Sequence, residues 1–212
     1  METFYPSKII KNKKDAIVIP PKPDPEKLVL YNIHNDRDEK IYRLVEQVSP
    51  DIIPIFPELA NSVIGIRTGE MNSCIACWDF CKDQVVFTNT REWDALEMGA
   101  TLAHELTHAF HHKIQSIPSG ERATDLYMLA RIPLKYLMVG CPSYLECADD
   151  VFQKYPEKVQ ELAKAALINR KNGLRCYIRW FEDEIDKIHY GLKGEPVPTR
   201  PRPIVWGNNN KT

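Results

Sequence analysis

The sequence predicts an α+β fold in which a small, mostly antiparallel sheet packs on a long helix and the C-terminal half of the chain is helical. Two observations lead to this prediction. Up to about residue 90, short β-branched and apolar runs recur between clusters of Pro, Asn and Asp, which is the pattern of strands and turns. Beyond that point, apolar residues recur at spacings of three and four, which indicates helices that each bury one face.

Composition divides the 212 residues into an extended arm over 1–26, a folded domain over 27–194 and a flexible tail over 195–212. Prolines at 20, 21, 23 and 25 stiffen the end of the arm, because proline restricts its own backbone and favours extended chain. Four prolines and three consecutive asparagines characterise the tail. The stiffened arm suggests the hypothesis that it blocks a cleft of the folded domain.

Three strands are predicted in the first part of the domain. Each is a short run of β-branched and apolar residues, and in chain order they cover 28–33, 62–68 and 84–88. The segment 74–81, which holds three of the cysteines, connects the last two strands without a predicted element of its own. Together these strands form the small sheet that precedes the long helix.

A helix is predicted between the first two strands. Asp36, followed by Glu39 three residues later, is typical of a helix start. The apolar face of this helix then follows at helical offsets: Ile41, Leu44, Val45 and Val48. Prolines at 50, 54 and 57 predict a loop from residue 50 onward.

The long helix is predicted directly after the strand at 84–88. Asn89 stands three residues before Glu92, which is an N-terminal capping pattern. The stripe of apolar residues expected to be buried consists of Trp93, Leu96, Ala100, Ala103, Leu106 and Phe110. Helix-breaking residues at 116–120 end the helix.

Helices are predicted for most of the remaining chain. The first covers 121–132 and is ended by Pro133. Three more cover 143–154, a stretch that begins at Pro156, and 174–190. We expect the charged residues of these helices to form solvated faces.

The pattern H-E-x-x-H occupies positions 104–108 of the long predicted helix. His104 and His108 are four residues apart, so a helix places both imidazoles on one face, one turn apart. This spacing lets two ring nitrogens reach one zinc ion at about 2.0–2.1 Å each. Glu105 then lies beside the ion, where it can act as a general base on a water molecule.

A third ligand is available on the next helix. Catalytic zinc sites take three protein ligands and leave one position open. Glu121 can supply the third ligand, and Asp125 lies four residues later on the same helix face. Asp125 can accept a hydrogen bond from the far nitrogen of a ligating histidine and thereby fix its tautomer.

The residues HELTH followed by GERATD resemble the zincin metallopeptidases, specifically those of the gluzincin type. The resemblance implies a zincin-like fold with one zinc ion bound by His104, His108 and Glu121. It also implies that Glu105 is the general base and that Asp125 is an outer hydrogen-bond partner of a ligand.

The short distance between the two motifs is similar to that in the minimal gluzincins, including the ImmA/IrrE-like peptidases. The resemblance covers about residues 84–133. An aspzincin-like alternative, in which Asp125 is the third ligand, stays open. The metzincin pattern does not apply, because it needs Gly at 111 and His at 114, where this chain has His111 and Ile114.

These features predict a zinc-dependent endopeptidase, in which a zinc-bound water molecule activated by Glu105 hydrolyses a peptide bond. The carbonyl oxygen gains negative charge in this reaction and needs a hydrogen-bond donor. Tyr127, His111 and His112 are the candidates for that donor or for substrate contact.

The alternative function is a non-catalytic module that keeps a zincin fold and binds a partner protein or peptide. Glu105 favours the enzyme, because a purely structural zinc site closes its fourth position and needs no base. In both cases an extended peptide can pair with an exposed strand edge. Either the 62–68 strand or the 84–88 strand can provide that edge, unless both lie inside the sheet.

Charge and hydropathy exclude several classes of partner. Charged residues make up 27% of the chain and the net charge is −1, so the basic balance typical of nucleic-acid binding is missing. No segment reaches about 18 consecutive apolar residues, and the N-terminus lacks the apolar region of a signal peptide. The sequence therefore predicts a cytoplasmic protein without membrane contact that acts on a peptide or protein substrate. It carries no signal for an oligomeric state.

The six cysteines leave three interpretations open. The first three form the pattern C-x-x-C-x-x-x-C and the others are scattered: Cys74, Cys77, Cys81, Cys141, Cys147 and Cys176. They are reduced and mostly buried thiols, or they form disulfides, or some of them form a second metal site. A structural zinc site usually takes two pairs of ligands, and the second pair at the usual spacing is missing here.

Overall fold

The computed structural model describes residues 28–30, 36–59, 62–114 and 117–198 of the chain. Within these ranges the protein consists of one small sheet and seven α-helices, which confirms the predicted α+β class. The predicted arm over 1–26 lies outside the described residues, as does the predicted tail from residue 199 onward. Blocking of a cleft by the arm therefore stays a hypothesis.

The strands are β1 (Leu28–Leu30), β2 (Ile64–Gly69), β3 (Ala76–Asp79) and β4 (Gln84–Thr88). The helices are α1 (Asp36–Ile52), α2 (Ala95–Lys113), α3 (Glu121–Leu129), α4 (Leu134–Leu137), α5 (Asp149–Lys154), α6 (Pro156–Lys171) and α7 (Tyr177–Lys193). Two short 3-10 turns follow α1, at Ile53–Ile55 and Pro57–Leu59. Over the described ranges, none of the helices combines the length and the apolar character needed to cross a membrane.

The sheet is mixed, and its strand order is β1-β2-β4-β3. β1 runs parallel to β2 and β2 runs parallel to β4, whereas β3 pairs antiparallel with β4. The prediction of a mostly antiparallel sheet is therefore wrong. Helix α1 provides the crossover that a parallel β1–β2 pair needs, and β4 inserts between β2 and β3 instead of adding to an outer edge.

The strands predicted over 62–68 and 84–88 correspond to β2 and β4, and both lie inside the sheet. The strand predicted over 28–33 corresponds to β1, which occupies one edge. The other edge is β3, which lies in the cysteine segment and has no strand signal in the sequence. The free edge beside the long helix thus belongs to an element that the sequence pattern does not predict.

Helix α1 continues through Pro50 and ends at Ile52, so the loop predicted from residue 50 begins later. A proline inside a helix removes one hydrogen bond and costs about 3 kcal/mol. Val48 and Ile52 are 1% and 0% exposed. Burying two such side chains contributes about 3–6 kcal/mol, which outweighs the missing hydrogen bond in this last turn.

Helix α2 begins with a different cap from the predicted one. The N-cap is Asp94, whose side chain accepts a hydrogen bond from the Glu97 backbone N–H at 2.8 Å. Asn89 instead donates through Nδ2 to Oδ1 of Asp38 on α1 at 3.0 Å, so the capping pattern of Asn89 and Glu92 is not used. Asp94 directly precedes the helix, and its negative charge suits the positive end of the helix dipole.

Helix α2 lies at the centre of the core, where it contacts α1, α3, α4 and strands β3 and β4. Most of the predicted stripe is buried: Trp93, Ala103, Leu106 and Phe110. The predicted burial of Leu96 is wrong, because the first turn of α2 lies at the surface and leaves this side chain exposed. The core also takes in further side chains of α2, namely Met98, Leu102 and Ala109.

The C-terminal half is helical, as predicted. α3 and α6 begin at Glu121 and Pro156, where the sequence places them. The helix predicted over 143–154 is shorter, because α5 begins only at Asp149 and residues 142–148 form a loop. α3 contacts α2 as well as α6 and α7, so it joins the helical half to the sheet-bearing half.

Candidate metal centre

Helices α2 and α3 bring three possible ligand atoms together. Nε2 of His104 and Nε2 of His108 are 3.1 Å apart, and each lies 3.1 Å from Oε2 of Glu121. The two histidines come from successive turns of α2, and Glu121 is the first residue of α3. In the part of the chain that the structure describes, this is the group of side chains that could hold a metal ion.

The separations of these three atoms fit a metal ion. Ligands in a tetrahedral zinc site lie about 2.0–2.2 Å from the ion and therefore about 3.3–3.5 Å from one another. The observed 3.1 Å separations are only a few tenths of an ångström shorter. Three converging lone-pair atoms repel one another, and a single proton bridges only two of them, whereas one cation satisfies all three.

Asp125 holds the opposite side of the His104 ring. Its Oδ1 lies 2.7 Å from His104 Nδ1, and its Oδ2 accepts a hydrogen bond from the Tyr144 backbone N–H at 3.1 Å. When Nδ1 of His104 donates to this carboxylate, Nε2 keeps the lone pair that a metal needs. Both oxygens of Asp125 are thus engaged away from the ligand group, and the geometry favours Glu121 over Asp125 as third ligand.

His108 has a weaker partner on its far nitrogen. Its Nδ1 lies 3.4 Å from Oγ1 of Thr124, which in turn lies 3.4 Å from Nδ1 of His111. Strong hydrogen bonds of this kind measure about 2.7–3.2 Å, so Thr124 holds His108 less firmly than Asp125 holds His104.

Burial and neighbouring charges move the pKa values of the two ligand histidines in opposite directions. Burial alone lowers the pKa of His104, but the hydrogen bond and charge of Asp125 outweigh it and raise this pKa above its ordinary value. For His108, burial and the charge of His104 lower the pKa. Because imidazoles bind metals in the neutral form, protonation of His104 at low pH competes with metal binding.

Glu105 is a buried carboxyl group beside the three ligand atoms. It is 5% exposed, and burial raises its pKa to about 7 in spite of the nearby charge of His104. The nearby backbone N–H of Trp78 in β3 also lowers this pKa, but less than burial raises it. A pKa close to neutrality suits a group that accepts and returns protons.

Two cavities meet at the candidate metal centre. The larger has a volume of about 620 Å³ and the smaller about 420 Å³, and both are lined by Cys74, Ala76, His104, Glu105 and Tyr144. The larger one, called the histidine cavity, is also lined by His108, His111 and His112. The smaller one, called the apolar cavity, is lined by side chains from α3, α4 and the loop that follows: Met128, Leu129, Ile132, Leu137 and Val139.

Tyr144 is a site residue that the sequence pattern does not single out. Its ring stacks on the ring of His104, with centroids 6.1 Å apart and planes 22° apart, and it is 48% exposed. The charge of Glu121, followed by burial, raises the pKa of its hydroxyl, which therefore stays a hydrogen-bond donor at neutral pH. The available signal was weak: an aromatic residue after Pro142 and Ser143, a composition that is typical of a loop.

The three donor candidates named from the sequence lie in environments that differ from that of Tyr144. Tyr127 is buried, its hydroxyl accepts a hydrogen bond from Arg170 at 3.2 Å, and it is not among the residues that line the two cavities. His111 lines the histidine cavity, but it is buried edge-on against Tyr127, and burial lowers its pKa to about 4. His112 is exposed at the cavity rim, 5.9 Å from the ring of Phe80. The position of Tyr127 therefore does not favour the predicted role as a donor, which stays a prediction.

Strand β3 presents its free edge to this site. The Thr88 N–H donates to the Ile75 carbonyl at 2.8 Å, so the backbone groups of Ile75 and of alternate residues after it point towards β4. Those of Ala76 and Trp78 point the other way, and the Trp78 N–H lies near Glu105 of α2. The sequence suggested β2 or β4 as the strand whose free edge pairs with a peptide; in the structure the free edge near the site belongs to β3.

The six cysteines, all of them within the described residues, are thiols and form no disulfide. The interpretation as mostly buried thiols is wrong in one respect, because none of the six is fully buried. Cys74 and Cys77 line the histidine cavity, and burial raises the pKa of the Cys77 thiol. Among the described residues no cysteine belongs to a group that could hold a metal, so the interpretation as a second metal site finds no support there.

Comparisons with known proteins leave the resemblance to gluzincins a prediction. Searches gave no match to a protein-family model, to a curated protein or to a solved structure. The resemblance therefore rests on the motifs at 104–108 and 121–125 alone. The chain is an α+β protein in which His104, His108 and Glu121 could hold a metal ion beside a buried carboxyl group.

Proposed function

We propose that the protein is a zinc-dependent endopeptidase, with His104, His108 and Glu121 as ligands and Glu105 as general base. One observation carries this proposal: three ligand atoms 3.1 Å apart adjoin a buried glutamate on the wall of two cavities. A structural zinc site closes its fourth position with another side chain. Among the described residues the group has three members, and the cavities leave room for water and a substrate.

Glu105 performs the proton transfers in this proposal. A bound zinc ion would supply a Lewis acid and lower the pKa of a water molecule to about 7. Glu105 takes the proton from the attacking water and then delivers it to the leaving amine when the C–N bond breaks. The position of Glu105 on the wall of both cavities and its pKa of about 7 support this role.

Tyr144 is the hydrogen-bond donor for the carbonyl oxygen as negative charge develops on it. Its stacking on His104, its half-exposed ring and its place on the wall of both cavities support this role. Tyr144 takes the place of Tyr127 in the sequence-based hypothesis.

The free edge of β3 binds the substrate as an added strand. An extended peptide pairs with the outward N–H and C=O groups of Ala76, which hold its backbone alongside the ligand group. One side chain of the peptide then enters the apolar cavity, whose volume of about 420 Å³ accommodates a large aromatic or branched apolar residue. The substrates are therefore unfolded or extended protein segments with such a residue near the scissile bond.

The substitution Glu105→Gln tests this function. We expect the wild type to contain one zinc ion and to cleave unfolded proteins and members of a peptide library, and a chelator to stop the cleavage. Glu105→Gln should keep the zinc and lose hydrolysis by a factor of about 10²–10⁴ or more, because the base is gone. Metal analysis by mass spectrometry and product detection by peptide mass spectrometry measure both properties.

The matched control is Glu157→Gln, which neutralises an exposed carboxylate on α6 far along the chain and should retain zinc and hydrolysis. A wild type that binds zinc and peptides but never cleaves them would instead support the alternative function, a non-catalytic binding module for a protein or peptide. A wild type that binds no zinc would refute both functions.

A further inference from the structure

The loop over residues 139–146, called the wall loop, forms one side of the apolar cavity and carries Tyr144 to the candidate metal centre. Three carboxylates hold its backbone at separate points. Each accepts a hydrogen bond from one N–H of the loop: Asp149 from Cys141 at 2.8 Å, Asp125 from Tyr144 at 3.1 Å and Glu182 from Glu146 at 3.1 Å.

Only one of these three carboxylates also contacts a candidate metal ligand. Asp125 Oδ1 lies 2.7 Å from Nδ1 of His104, while its Oδ2 accepts the hydrogen bond from the wall loop. The residue is 1% exposed, so the side chain has no solvent to replace either partner. Any rotation of the carboxylate that breaks one hydrogen bond therefore disturbs the other.

We propose that Asp125 couples metal binding at His104 to the position of the wall loop. Asp125 is then a positioning residue for a ligand and for Tyr144 at the same time. The inference rests on the proposed function, because it takes the zinc site from that proposal. It adds that bound metal stabilises the loop position that shapes the apolar cavity, which receives the substrate side chain.

The physical cause is the polarisation of one imidazole. A cation on Nε2 makes the Nδ1–H of His104 a stronger donor, which fixes the Asp125 carboxylate more firmly. The fixed carboxylate in turn holds the Tyr144 N–H and the wall loop. Because coupling between two equilibria is reciprocal, opening of the loop must weaken metal binding by the same factor by which bound metal lowers the equilibrium constant for loop opening.

The substitution Asp125→Asn separates the two contacts. A carboxylate offers two acceptor oxygens, whereas the amide has one acceptor oxygen and one NH₂ donor. Both partners of Asp125 are N–H donors, so asparagine can serve one of them and not the other. We expect zinc binding to persist with about 10–100-fold lower affinity, which is typical for loss of an outer partner of a ligand.

Hydrogen exchange followed by mass spectrometry tests the coupling in the full chain, metal-free and with saturating zinc. In the wild type, zinc should slow exchange in peptides covering 139–146 by about fivefold or more, the lower end of typical couplings. In Asp125→Asn, exchange of the loop should be the same with and without zinc. The control Asp149→Ala removes the acceptor of the Cys141 N–H, so the loop should exchange faster in both states, but zinc should still slow it.

The inference is overturned if zinc binds the wild type without changing exchange of the wall loop, or if zinc still slows exchange in Asp125→Asn. If Asp125→Asn fails to fold, the comparison of wild-type exchange with and without zinc still tests the inference. Neither readout depends on hydrolysis. Coupling in a protein that never cleaves a peptide refutes only the proposed function, and cleavage without coupling refutes only this inference.

Discussion

Glu121 and Asp125 lie four residues apart on α3, and both carboxylates face the same histidine ring. Glu121 reaches Nε2 at 3.1 Å, whereas Asp125 reaches Nδ1 at 2.7 Å and is buried. The two roles differ because the residues lie one helical turn apart and because the aspartate side chain is shorter. Asp125 also accepts a hydrogen bond from the Tyr144 N–H, which Glu121 does not. Sequence spacing puts both residues on one face, but only the positions of the helices decide which nitrogen each one meets.

His111 makes folding stability sensitive to pH. Burial lowers its pKa to about 4, below the value of about 6.5 expected in the unfolded chain. Its contribution is therefore complete above about pH 6.5 and is lost as the pH falls towards 4, because the unfolded state binds the proton first. Between pH 7.5 and pH 5 we expect a loss of about 2 kcal/mol in the free energy of unfolding from this residue.

Comparison with His111→Phe isolates that contribution, because all other titrating groups are common to both proteins. Urea unfolding at the two pH values should show the variant gaining about 2 kcal/mol relative to the wild type at the lower pH. An equal loss of stability in both proteins would contradict the assigned cause.

At the scale of elements, segments with strong hydrophobic periodicity are predicted correctly, whereas short elements are not. α2, α3 and α6 each combine an apolar stripe with a start or stop signal, and their positions follow from sequence. β3 lies in the cysteine segment and has only four residues, none of which is β-branched. Its strand form depends on pairing with β4 and on contact with α2, which are tertiary interactions.

The contact of α2 with α4 depends on Gly99. A Cβ atom at this position would lie 2.1 Å from Cε1 of Tyr136, whose buried ring packs on the helix backbone. Alanine favours a helix over glycine by about 1 kcal/mol, but displacing a buried ring costs about 1–3 kcal/mol or more. We expect Gly99→Ala to lower the free energy of unfolding by about 1–2 kcal/mol, measured by urea unfolding.

Gly191 on α7 supplies the matched control. A Cβ atom there meets nothing within 4 Å, so Gly191→Ala should raise stability by up to about 1 kcal/mol. If both substitutions stabilise the protein to the same extent, the close packing of Tyr136 on α2 is wrong.

At the scale of the whole molecule, the candidate metal centre joins two halves of the fold. α2 packs on the sheet and on α1, whereas α3 packs on α6 and α7. His104 and His108 come from the first half and Glu121 from the second. An ion held by all three therefore stabilises only the folded arrangement, in which the two helices lie side by side.

Zinc should accordingly raise the thermal stability of the protein. At a free zinc concentration 100 times Kd, the free energy of unfolding rises by about 2.7 kcal/mol. For a chain of this size, we expect Tm to rise by about 5–10 °C in calorimetry. His108→Gln should abolish the rise, while His112→Gln, a histidine of the same helix outside the ligand group, should retain it. An equal response of both variants would contradict the assigned ligands.

The sequence by itself determined the α+β class, the helical C-terminal half and the helix that carries H-E-x-x-H, because hydrophobic period and breaker residues are local properties. It also predicted that Glu121 and Asp125 share one face of the helix that follows. Only the tertiary structure decided the mixed order of the sheet, the free edge of β3 and the position of Tyr144. These features arise from which elements pack together, and such long-range packing has no period within a single segment of the chain.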